Sequence, residues 1–88
     1  MAQMYNPDEI ISKAETMRTQ AGELNKLIVN MRSIIEEMGR VWQSPAQQSF
    51  SAKFTELEPE LTTFVKTINT FADNAKTQAE DVKKSEVV

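Results

Sequence analysis

The chain has no cysteine and no histidine among its 88 residues, and only two glycines. Without cysteine there is neither a disulfide framework nor a thiol nucleophile, although such a chain can still act outside the cell. Together with the lack of a glycine-rich loop, these absences remove the common means of holding a metal, activating a nucleophile or cradling a phosphate. No catalytic, cofactor-binding or metal site is therefore expected, and the chain does not read as an enzyme. No apolar run approaches a membrane span, so stable membrane insertion is not expected. The segment Met1-Ala2-Gln3-Met4-Tyr5-Asn6-Pro7-Asp8 lacks the basic region and apolar core of a secretory signal. Export through a cleaved signal peptide is therefore not expected. Thirteen acidic against ten basic residues give a net charge of −3, with the basic ones scattered from Lys13 to Lys84. Nucleic acid would favour a cationic stripe, so it is not an expected partner.

What the chain does have is heptad order. Ile10, Ala14, Met17, Ala21, Leu24, Ile28, Met31, Ile35, Met38 and Trp42 follow one another in alternating steps of four and three. Phe50, Phe54, Leu57, Leu61, Phe64, Ile68, Phe71 and Ala75 repeat the pattern. Each run keeps one apolar seam on one helix face. The reading is an all-α fold, a single domain over residues 1–88. It forms an antiparallel two-helix hairpin: helix one at about 7–42, a turn at 43–44, helix two at about 45–82 and a flexible tail over 83–88. Pro59 is expected to kink helix two without stopping it, because the heptad phase continues across it. Gly22 costs helix one about 1 kcal/mol relative to alanine, which packing can offset.

Capping chemistry places the boundaries. Asn6-Pro7-Asp8-Glu9 offers an acceptor at the N-cap, proline at the first helical position and carboxylates at the positive end of the helix dipole. Ser44-Pro45-Ala46-Gln47 repeats the device: Ser44 accepts from the amide of Gln47, and the Gln47 side chain is expected to reach back to the amide of Ser44. Glu9 with Lys13, Glu36 with Arg40 and Glu80 with Lys84 stand four apart as outer-face pairs.

Further apolar rows flank each seam: Leu27, Ile34 and Val41 on helix one, and Val65, Ala72 and Ala79 on helix two. A chain this short buries only about 60% of its unfolded surface, and a lone hairpin leaves these rows in water. Two hairpins are expected to pair into an elongated four-helix bundle with helices crossing near 20°. The residues expected in the core or the dimer seam are Leu24, Leu27, Ile28, Met31, Ile34, Ile35, Met38 and Val41 of helix one. Those of helix two are Phe54, Leu57, Leu61, Phe64, Val65, Ile68 and Phe71. Met17, Met31 and Met38 share a heptad position and read as core rather than as an adaptable groove. The phenylalanines read as core rather than as a base-stacking platform, because nothing cationic flanks them. Glu56, Glu58 and Glu60 read as a solvated helix face.

An unsigned chain of this length, a helical hairpin and the central turn Trp42-Gln43-Ser44 resemble the WXG family, the small ESAT-like substrates of type VII secretion in Gram-positive bacteria and mycobacteria. Ser44 stands where that family usually has glycine; serine caps a helix as well as glycine does, unless the backbone there needs a positive φ. The family's second export feature is an aromatic residue followed four positions later by an acid near the end of helix two. Its nearest counterpart here is Val82 with Glu86, which reads either as that signal or as the last seam residue and a tail charge. The resemblance implies a virulence-associated protein, cytoplasmic before export and then secreted or at the cell surface by a route independent of a signal peptide. It implies pairing with itself or with a paralogous WXG-type chain, and recognition by a type VII secretion ATPase. In an antiparallel dimer, Trp42 of one subunit and the C-terminal segment of the other would form a composite signal. An intracellular helical adaptor or chaperone-like coiled coil without export shares every heptad argument.

Overall fold

A computed structural model describes residues 5–87, with side chains described through Ser85. Two helices account for nearly all of it: α1, Pro7–Val41, and α2, Pro45–Val87. They fold back on one another into a rod of about 66 × 21 × 19 Å. The 43 residues of α2, at a rise of about 1.5 Å each, supply that length.

Both helix starts follow the local chemistry. The Asn6 side chain accepts from the amide of Glu9 at 3.1 Å, with Pro7 next in line and Asp8 and Glu9 in the first turn. Ser44 Oγ accepts from the amide of Gln47 at 3.1 Å. At the end of α1 the Trp42 amide donates to the carbonyl of Met38 at 2.9 Å while its own backbone turns extended. No described residue has a positive φ, so Ser44 fills the glycine position of the turn without strain.

The helix bounds differ from the expected ones chiefly at the C-terminus, where α2 runs on through Val87 instead of giving way to a tail after 82. Within this last stretch the Lys83 ammonium is ion-paired to Asp8 at the start of α1. Residue 88 of the expected tail lies outside the described residues. Pro59 sits inside α2 without stopping it, and its carbonyl accepts from the Thr63 hydroxyl at 2.9 Å.

The row of α2 that faces α1 is not the expected one. On α1 the buried residues are Ala14, Ala21, Ile28 and Ile35, all within the expected seam. On α2 the buried apolar residues are Val65, Ala72 and Ala79, a row expected on one flank of the seam, with Gln47 buried near the turn; Phe54, Leu61 and Ile68 are only partly buried beside them. Phe50, Leu57, Phe64 and Phe71, expected in the seam, are exposed. The reason is steric. Alanines at 14, 21, 72 and 79 let the two helices approach closely, and phenylalanine rings between them would hold the helices apart.

Candidate functional site

The buried rows divide the hairpin into two unlike edges. On each helix two residues that immediately precede a buried position are large, apolar and exposed: Leu27 and Ile34 at 63% and 49% on α1, Phe64 and Phe71 at 56% and 59% on α2. Several residues one or four positions after a buried one are charged, Glu15, Arg18, Arg32, Asp73 and Lys76 among them. Arg18 pairs with Asp73, Arg32 with Glu58, and Lys76 with Glu15 at 3.4 Å. With about 3.6 residues per turn, "before" and "after" fall on opposite flanks of each helix, and the antiparallel arrangement brings like flanks together. One edge is thus laced by ion pairs between helices. The other is an apolar face.

Two shallow hollows mark that face. Near the turn, Met31, Ile34, Ile35, Met38, Trp42, Ala46, Gln47 and Phe50 line one of about 190 Å³. Toward the open end, Asn6, Glu9, Ile10, Lys13, Ala14, Met17, Phe71 and Ala75 line another of about 390 Å³. Between them run Leu27, Leu57 and Phe64, while Val41 projects almost wholly into solvent beside the turn. Leu27, Met31, Ile34, Met38, Val41, Leu57, Phe64 and Phe71 of the expected seam therefore lie on the outside of the hairpin, and Ile28, Ile35 and Val65 lie inside it. Leu24, Phe54, Leu61 and Ile68 sit between the two sets, partly buried.

Trp42, beyond the last residue of α1, is 52% exposed at one end of the apolar face. Gln43 is exposed and Ser44 half-buried. Gln47 does not complete the expected capping box: its side chain crosses to α1 and donates to the carbonyl of Ile35 at 3.3 Å. A flexible amide next to a helix with a glycine in contact range finds a buried acceptor there, and nothing in the sequence of the turn alone reveals it. Val82 is half-buried, and helix continues through position 86, but the side chain of Glu86 lies outside the described residues.

Of the three acids around Pro59, Glu56 and Glu60 are exposed and Glu58 bonds to the Arg32 guanidinium. That hydrogen bond and the charge of Glu58, with a smaller contribution from Glu36, raise the pKa of Arg32 above its ordinary value. The stabilisation is present below the ordinary arginine pKa and lost only as pH rises through the higher folded value, so it does not vary near neutrality. Among the described residues no group of three or more His, Cys, Asp or Glu side chains could hold a metal ion. No described helix is long and apolar enough to cross a membrane.

Two long helices joined by a tryptophan-bearing turn, with capped starts and ion pairs between them, define a helical-hairpin protein. The chain belongs to the WXG100 family, proteins of 100 residues with WXG, which matches residues 3–86. That family comprises small non-enzymatic helical proteins secreted by type VII systems. No curated relative matches the chain.

Proposed function

We propose that this protein is a type VII secretion substrate that leaves the cell folded, as a pair of hairpins, and acts by binding other proteins. The observation that carries the reading is the bare apolar face, Leu27, Ile34, Val41, Phe50, Leu57, Phe64 and Phe71, on a hairpin whose turn bears an exposed tryptophan. A face this long and this apolar is the mark of an association surface. A second copy, or a paralogous WXG-type chain, lays the same kind of face against it to form a four-helix bundle. The opposite edge, occupied by ion pairs, stays in water. In an antiparallel pair the Trp42 turn of one hairpin lies near the C-terminal segment of the other, where a secretion ATPase reads both. The protein is cytoplasmic before export, and outside the cell afterwards by a route independent of a signal peptide.

The test compares culture supernatant with cell lysate in a Gram-positive host, with and without its secretion ATPase. Accumulation in the supernatant only when the ATPase is present is the expected result. Retention in the lysate under both conditions would favour an intracellular adaptor.

A further inference from the structure

The chain has no thiol, so its softest nucleophiles toward an oxidant are methionine sulfurs. Met31 and Met38 are 44% and 45% exposed, whereas Met17, two heptads before Met31 in the same row, is half-buried. The first two line the hollow beside Trp42, together with Ile34 and Phe50, and neither belongs to the buried core that holds α1 against α2. Their side chains are thus reachable in the single hairpin and covered once a second copy lies on the apolar face.

We propose that Met31 and Met38 form an oxidation site that controls pairing. A sulfur lone pair attacks one oxygen of hydrogen peroxide, the O–O bond breaks, and the second oxygen leaves as water after proton transfer. Sulfur loses two electrons to become the sulfoxide, and the peroxide gains them. In the single hairpin the new S=O group is hydrated and the fold is unaffected. Against a second copy the same group loses its water in a hollow lined mainly by apolar side chains, which disfavours the pair. The coupling is reciprocal: oxidation weakens pairing, and pairing shields the sulfurs. This proposal rests on the pairing proposed above.

Trypsin releases the two residues separately, Met31 in Leu27–Arg32 and Met38 in Ser33–Arg40, so mass spectrometry follows each one independently. The full chain is treated with hydrogen peroxide over a range of protein concentrations, and its mass is read by light scattering. Oxidation of both peptides should slow as concentration rises through the dimer range. The oxidised chain should keep its helical circular dichroism while its dimer dissociation constant rises by about tenfold or more. Methionine sulfoxide reductases should restore pairing, and the Met31→Leu/Met38→Leu double variant should pair normally and ignore peroxide. Oxidised chain that pairs as tightly as the parent, or a double variant that still loses pairing under peroxide, overturns the proposal. If untreated chain is monomeric at every concentration, the pairing itself falls, and this proposal with it; that measurement comes first.

Discussion

The side-chain amide of Gln47 lies 3.3 Å from the carbonyl of Ile35, a donor from the first turn of α2 reaching an acceptor in the last turns of α1. Gly39 makes the approach feasible. A methyl group on Gly39 would stand 3.0 Å from the same Gln47 nitrogen, whereas one on Gly22 would meet nothing within 4 Å. The turn is therefore closed by a side-chain clasp as well as by the Ser44 cap.

The two glycines should respond oppositely to alanine. Gly22→Ala gains helix propensity at no steric cost and should stabilise the chain by about 0.5–1 kcal/mol. Gly39→Ala gains the same propensity but displaces Gln47, and a buried amide left without its partner costs about 1–3 kcal/mol. The net effect should be a loss. Urea denaturation of both variants checks the pair, and equal stabilisation would show that the clasp is slack.

Replacing Pro59 by alanine should stabilise the hairpin. Proline inside a helix removes one backbone hydrogen bond and crowds the preceding turn, at about 3 kcal/mol, and part of that cost is offset by its restriction of the unfolded chain. A gain of about 1–2 kcal/mol in urea denaturation is expected, with no change in helical content because α2 is already continuous there.

Neighbouring residues Phe64 and Val65 separate the two kinds of apolar surface. Phe64 is exposed and Val65 buried against Ala21 and Ile28. Phe64→Glu should leave a folded hairpin that no longer pairs, since an unpaired charge in a covered interface costs several kcal/mol. Val65→Glu places that charge between the two helices and should unfold the chain. Circular dichroism and light scattering on both variants, at matched concentration, distinguish the outcomes; loss of helicity in Phe64→Glu would mean that the ring packs within the hairpin.

How much of this was legible in advance depends on the range of each interaction. Asn6-Pro7 and Ser44-Pro45 announce their helices because a cap needs only residues within one turn. The heptads announce two helices and a turn, because periodicity is a property of each segment alone. They do not say which of two adjacent apolar rows on α2 meets α1. Rows one residue apart, about 100° around the helix, are both hydrophobic, and the decision falls to size: Ala72 and Ala79 fit against Ala14 and Ala21, and Phe64 and Phe71 do not. The Gln47 clasp and the ion pair from Arg32 to Glu58 are equally invisible in sequence, since each joins residues brought together only by the fold.

The last prediction concerns the turn and export. Trp42 is about half exposed, lies outside α1 and takes no part in the buried cluster around Ala21, Ile28 and Val65. Its removal therefore costs far less than the about 3–5 kcal/mol typical of a tryptophan taken from a packed core. Trp42→Ala should retain its helicity and lose no more than about 1 kcal/mol in urea. If the turn is read by the secretion machinery, the same variant should disappear from culture supernatant while its amount in the lysate is maintained. A truncation after Asp81 tests the other half of the signal; it removes half-buried Val82 and the Lys83 ion pair to Asp8, so its fold must be checked alongside. Export of a folded Trp42→Ala chain at the parental level would make the tryptophan a packing residue of the apolar face. Normal export of the truncated hairpin would likewise reduce Val82 and Glu86 to the end of a helix.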